Sequence, residues 1–381
     1  APVPVAVVAP VPVAVVAPAP VAVVAPAPVA VVAPIPVIAT QAAEASAFKF
    51  NSFFDIRYSN YNVNNNPNVS SGNPESGFGL EDAAVYANYE KGNVLVLVDV
   101  AIRRSKDYDI NVSATKPNQS SNNNLAIGID KSQLYLRYKI TPALIFDFGQ
   151  FDTIFGVEVN DSKDRVFGKT GLVYDNTLPV THTGFMLEYT YAENIYLKAF
   201  IANPNNKGTF GSSLSGDDTP EVGVALGYAS DNYHAQIGHM SRKIKLASGI
   251  GKNNRTLLDV FLGGVVGKFS FDLEGVALSD PSKNTLTTSD ASDKEKTGEG
   301  YFTLLSYKFT PVFQVGMRFE YLRNDPAAQS IKSSASEGVS LHYKLTSEVE
   351  LRSEYTSCKN KGLSGTEWED SRFNVATVVT F

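Results

Sequence analysis

Residues 338–355 read GVSLHYKLTSEVELRSEY, with Val339, Leu341, Tyr343, Val349, Leu351 and Tyr355 on odd positions and His342, Lys344, Glu348, Glu350, Arg352 and Glu354 on even ones. A period of two is the mark of a strand whose two faces meet different surroundings. The alternation holds from Phe48 to Phe381 and predicts about sixteen strands, from 48–60, 78–91, 93–105 and 125–140 to 337–345, 348–358 and 370–381. The links between them are sorted. EKGN (90–93), ITPA (140–143), YAEN (191–194), SDN (230–232), VGK (266–268), FTP (309–311) and LTSE (345–348) are tight and carry turn chemistry. They alternate with long polar stretches such as 61–77 and 116–124.

A soluble sandwich has no reason to sort its loops this way. A bacterial outer-membrane barrel does, with short periplasmic turns and long external loops. The expected fold is therefore an all-β, transmembrane, antiparallel up-and-down β-barrel of about sixteen strands. Its apolar face is solvated by lipid and lipopolysaccharide and its polar face lines water. In hydrocarbon every backbone donor needs a partner, so the sheet has to close. Tyr86, Tyr89, Tyr138, Tyr191, Tyr196, Tyr228, Tyr233, Tyr307 and Tyr343 gather beside the short turns, where rings with one polar end form a girdle at headgroup level. The last predicted strand turns Phe373, Val375, Thr377, Val379 and Phe381 outward. Its final Phe381 resembles the signal read by the bacterial barrel-assembly machinery.

Composition changes this picture at one end only. Residues 1–40 are an octad repeat, APVPVAVV and its variants, and TQAAEASA (40–47) reads as a hinge. Proline every few residues enforces extended or polyproline geometry and forbids a spanning helix. Residues 1–47 are therefore expected in the periplasm, as a tether or as a contact with peptidoglycan or another envelope protein, and residues 48–381 form the barrel. The segment has no basic n-region, so the sequence is expected to be a mature chain. A net charge of −6 and a pI of about 5.4 speak against a nucleic-acid partner. Mean hydropathy of −0.10 suits a soluble protein as well as a barrel, whose strands average to neutral. The single cysteine, Cys358, excludes an internal disulfide.

About sixteen staves leave an aqueous bore. By parity Lys49, Asp55, Arg57, Arg103, Arg137, Lys139, Asp147, Arg318, Glu320, Glu348, Arg352 and Glu354 face it, and rings of charge on such a wall bias which solutes pass. The segment 157–181 is long yet carries Val166, Phe167, Leu172, Val173, Tyr174 and Leu178, which a solvated loop does not need. It is expected to fold inward and narrow the pore, setting Glu158, Asp161, Asp164 and Asp175 against Arg57, Arg103 and Arg137. Opposed charges across a narrowing create a transverse field. The alternative for this segment is an outer lid.

FDFGQFDTIFGVE (146–158) followed by LPVTHTGFMLEY (178–189) resembles the beta-barrel porin-2, or OmpL-like, family of bacterial outer-membrane porins. The resemblance is carried by Gly149, Phe151, Phe155, Gly156 and Glu158, then His182, Thr183 and Gly184. It implies passive diffusion of small hydrophilic solutes and ions with no cofactor; a homotrimer follows only by analogy among porins. Two other classes compete. An enzyme would need a nucleophile beside a base, yet neither H-E-x-x-H nor G-x-S-x-G occurs, and His234 and His239 fall on opposite faces of one strand. A structural scaffold or cell-wall tether, with a closed or plugged barrel, is the alternative that the repeat supports.

Overall fold

The computed structural model describes residues 47–64, 75–104, 125–127, 133–203, 219–245, 252–279, 297–324, 331–362 and 365–381. The octad repeat and nearly all of the hinge lie outside these residues. The strands run as β1 (Ala47–Asn64), β2 (Glu75–Lys91), β3 (Val94–Arg104), β4 (Leu125–Ile127), β5 (Leu134–Thr141), β6 (Leu144–Asp152), β7 (Thr181–Ala192), β8 (Ile195–Ala202) and β9 (Glu221–Ala229). They continue as β10 (Tyr233–Lys245), β11 (Lys252–Val266), β12 (Phe269–Ser279), β13 (Thr297–Lys308), β14 (Phe313–Asn324), β15 (Ile331–Lys344), β16 (Val349–Gly362) and β17 (Glu367–Thr380).

All pairings are antiparallel between chain neighbours, and β17 pairs with β1. The sheet is therefore closed and has no edge. The strand expected over 125–140 is split: β4 and β5 both pair with β3 and share one position. Seventeen segments thus make sixteen staves. The seven expected tight links are present, two of them turning on glycines in the left-handed region, Gly92 (φ 59°) and Gly267 (φ 63°). Closure is completed by the Phe381 N–H, which donates to the Ser52 carbonyl at 2.9 Å.

Side chains sort by parity. On β9, Val222, Val224, Leu226 and Tyr228 are exposed while Glu221, Gly223, Ala225 and Gly227 are buried inside. The same holds for 338–355: Val339, Leu341, Tyr343, Leu351 and Tyr355 face out, and His342, Arg352 and Glu354 are buried. An outer belt of this extent is incompatible with water and matches hydrocarbon. Tyr138, Tyr191, Tyr228, Tyr233, Tyr307 and Tyr343 are exposed at the short-turn end. Tyr86 and Tyr196 depart from the girdle: they point inward and donate to Asp161 and Gln236. Glu348 is also off the wall, in the turn before β16.

One long link between staves is described throughout, residues 153–180. It holds a 3-10 turn at Ser162–Asp164 and a short helix, α1 (Leu172–Thr177). It lies against the inner wall, with α1 beside β12, β13 and β14 and the 3-10 turn beside β1.

Candidate functional site

The segment 153–180 is organised first by itself. Arg165 donates to the carbonyls of Phe167, Val159 and Asn160 at 3.2, 2.9 and 2.6 Å, and to that of Gly168. At the root, the Thr153 N–H donates to the Val180 carbonyl at 3.0 Å, and the Asn160 side chain joins Asp152 (2.6 Å) to the Tyr174 hydroxyl (2.7 Å). Five donors in one rigid fork make arginine suited to gathering carbonyls. Nothing in the alternation of the strands marked Arg165 for this.

Most of its apolar side chains then seat on one arc of the wall. Phe155, Val173, Tyr174 and Leu178 form a buried cluster with inward residues Met186, Phe200, Met240, Leu257, Val276, Leu278 and Phe302 of β7, β8 and β10–β13. The seats are wall glycines. A Cβ on Gly238 would meet the Phe155 ring, on Gly300 Val173, on Gly316 Val166 and on Gly338 Phe167.

The polar backbone of the segment meets charged side chains, mostly on another arc. Arg318 on β14 reaches Glu158 at 3.0 Å, the Lys169 carbonyl at 2.9 Å and its neighbour Glu320 at 3.2 Å, with its guanidinium over the Phe167 ring. Arg352 on β16 donates to the carbonyls of Ser162 (2.6 Å) and Lys163 (3.0 Å). The Gly168 N–H donates to Glu354 at 2.7 Å, and the Ser162 N–H to Asp82 at 3.0 Å. A bulge on β2 leaves Glu81 unpaired in the ladder, and its carboxylate meets Lys169 at 3.0 Å. Helix α1 starts at Gly171, which brings no capping side chain. Carboxylates replace one: Glu320 accepts from the Val173 N–H at 3.0 Å and Glu158 from the Gly171 N–H at 2.6 Å. On β11 and β12, Asp259 and Glu274 accept from the N–H groups of Gly156 and Val157 at 2.9 and 3.2 Å.

The residues singled out from sequence fall into three groups. Glu158, Asp161 and Arg57 belong to the packed interface. Asp161 accepts from Tyr86, while Arg57 is only 2% exposed, pairs with Asp55 and Glu354 at 2.5 and 3.4 Å, and lies beneath Gly168. Asp164 and Asp175 keep local partners, Lys163 and Thr170. Arg137 is half-buried and binds Asp147 on β6 through two 2.8 Å hydrogen bonds, and Arg103 stands on β3 opposite Asp82. Glu158 meets Arg318, and Arg57 and Arg137 are engaged by wall carboxylates. A guanidinium on the same strand face as its acid satisfies itself locally, which spacing along the chain did not reveal. Burial pushes the Glu158 carboxyl up to about 7; Arg318 opposes the shift and Glu320 adds to it.

The motif residues acquire physical roles in this frame. Gly149 and Gly184 pair across β6 and β7 where side chains would strike β5 and β8 backbone. Phe151, Phe155 and His182 pack around Phe200, the His182 ring 4.2 Å from it. Gly156, at φ 86°, aims its N–H at Asp259, and Glu158 follows at the wall. Over residues 48–378 the chain matches the family described as "Putative beta-barrel porin-2, OmpL-like". The chain belongs to that family. The porin barrel is also similar to solved structures. The outer membrane channel DcaP of Acinetobacter baumannii has a TM-score of 0.60 at 13% identity, over 90% of this chain and 99% of that one. The anion-selective porin from Comamonas acidovorans has 0.60 at 11%, over 88% and 100%. The trimer form of OmpT of Vibrio cholerae has 0.56 at 13%, over 89% and 100%. At these identities the likeness is one of fold. No curated protein matches the sequence.

Proposed function

We propose that this outer-membrane porin is a water-filled channel for passive diffusion of small hydrophilic solutes and ions, narrowed by residues 153–180. The observation that carries this reading is the one-sided seating of that segment. Its hydrogen bonds and apolar contacts gather on β7, β8, β10–β16, β1 and β2, while Arg137 and Lys139 on β5, and Lys198 toward the short-turn end of β8, stay partly exposed inside the barrel. Solutes pass along this second arc, and the chain does no chemistry on them. Glu158, Asp161 and Arg57 set the position of the constriction; Arg137 and Asp164 touch what passes. Arg103 stands on β3, within the same arc.

Residues 1–47 extend into the periplasm as a tether toward peptidoglycan or another envelope protein, and the barrel assembles as a homotrimer in lipid and lipopolysaccharide. Phe381, exposed beside Phe54 on the outer face, is the residue offered to the barrel-assembly machinery. The test is the full chain in planar bilayers. Stable conducting steps are expected, and deletion of 160–176 raises their conductance; an unchanged conductance defeats the constriction. A silent wild type that conducts after removal of residues 1–40 identifies a plugged barrel instead.

A further inference from the structure

His342, on the β15 wall, stands between two groups that can only accept. Its Nδ1 lies 2.8 Å from the Glu350 carboxylate and its Nε2 lies 2.7 Å from the Val166 carbonyl on the inward segment, with the Ser340 hydroxyl at 3.2 Å. A neutral imidazole carries one N–H and satisfies one of the two acceptors; the imidazolium satisfies both. Glu350 also binds Arg352 at 2.5 Å, and Arg352 holds the carbonyls of Ser162 and Lys163. The charged groups facing His342 are thus Glu350, Arg352 and Glu354 on β16; β14 offers the neutral Gln314 in register, and the segment offers backbone carbonyls.

We propose that His342 is a proton-operated latch: as the imidazolium it ties the tip of the constricting segment to the β15–β16 wall, and on losing its proton it lets the tip swing into the open arc. Acid holds the passage steadily open. Alkali makes it flicker. The inference rests on the constriction reading above, so its test carries a readout that needs no current.

The full chain is studied in a Glu158→Gln background, which removes the carboxyl of the segment that burial pushes up to about 7. In potassium chloride across planar bilayers, brief closures are expected to be about tenfold more frequent at pH 8 than at pH 5, the ratio for loss of one charge-assisted hydrogen bond. Hydrogen exchange of peptide 160–170, corrected for the intrinsic rate at each pH, loses protection by the same factor. His342→Gln at pH 5 matches the pH 8 behaviour of its parent and loses the pH response. Where that variant folds poorly, a Val166→Cys/Gly316→Cys disulfide, which fixes the tip with His342 intact, abolishes the response and reduction restores it. A His342→Gln protein that keeps the parent's response, or a locked one that still answers to pH, overturns the latch. Exchange that follows pH in a barrel without conductance removes the pore and leaves the latch standing.

Discussion

The inner wall of this barrel has two unlike arcs. From β7 to β13 the segment 153–180 meets mainly Met186, Phe200, Met240, Leu257, Val276, Leu278 and Phe302, with glycines where its own rings and valines need room. From β14 through β16 to β1 and β2 it meets Arg318, Glu320, His342, Arg352, Glu354, Arg57 and Asp82. Contact on the first arc is non-directional and roughly proportional to area. On the second it is directional, each carboxylate or guanidinium placed on one backbone group. Adhesion comes from the apolar arc and register from the charged one, so damage to the two sides differs in kind.

The largest effect is expected on the apolar arc. Phe155→Ala empties a fully buried ring site among Phe151, His182 and Phe200 and weakens docking by about 3–5 kcal/mol; single-channel conductance then rises toward that of the 160–176 deletion while heat-modifiability of the barrel on gels is unchanged. On the charged arc, Arg57→Ala leaves Asp55 and Glu354 facing each other without a cation, at a cost of about 3 kcal/mol. The signature is a lowered unfolding midpoint in detergent, and Glu354→Gln added to Arg57→Ala recovers part of it. An intermediate loss of about 2 kcal/mol follows from Gly300→Ala, whose methyl overlaps Val173. It is relieved by Val173→Ala in the same chain, a double-mutant coupling that a purely electrostatic attachment does not show.

The barrel was legible because its rule is local: alternate residues of 338–355 meet lipid or lumen, and alternate links are tight or long. Membership of the inner face was legible for Asp55, Arg57, Arg318, Arg352 and Glu354 by the same parity. Partner choice was not. Glu158 is 160 residues from Arg318, and Gly168 is 186 from Glu354; such separations are fixed by barrel closure and stagger, which period two does not encode. Arg165 was missed because it serves its own segment's carbonyls. The docking glycines carried a faint signal, since Gly238, Gly300, Gly316 and Gly338 all fall on inward parity in strands where a side chain would fill the bore. Inward glycine on a barrel strand asks what lies against it.

The smallest effect tests whether the charged arc is balanced. Glu158 and Glu320 share one guanidinium, Arg318, within a buried interface. Burial raises the Glu158 carboxyl to about 7, with Glu320 pushing the same way against Arg318. An acid whose value is higher in the docked state than in water favours docking when protonated. Its contribution is complete below the ordinary glutamate range, about 4.3, and is lost as pH rises through about 7. In a His342→Gln background, docking of the segment is therefore expected to weaken between pH 5 and pH 8, read as hydrogen-exchange protection of peptide 155–160. Adding Glu158→Gln flattens the profile and leaves the segment better protected than its parent at pH 8. A profile that instead rises with pH would mean that the Arg318 pairing outweighs burial, and that the arc draws its hold from ionised Glu158 rather than tolerating it.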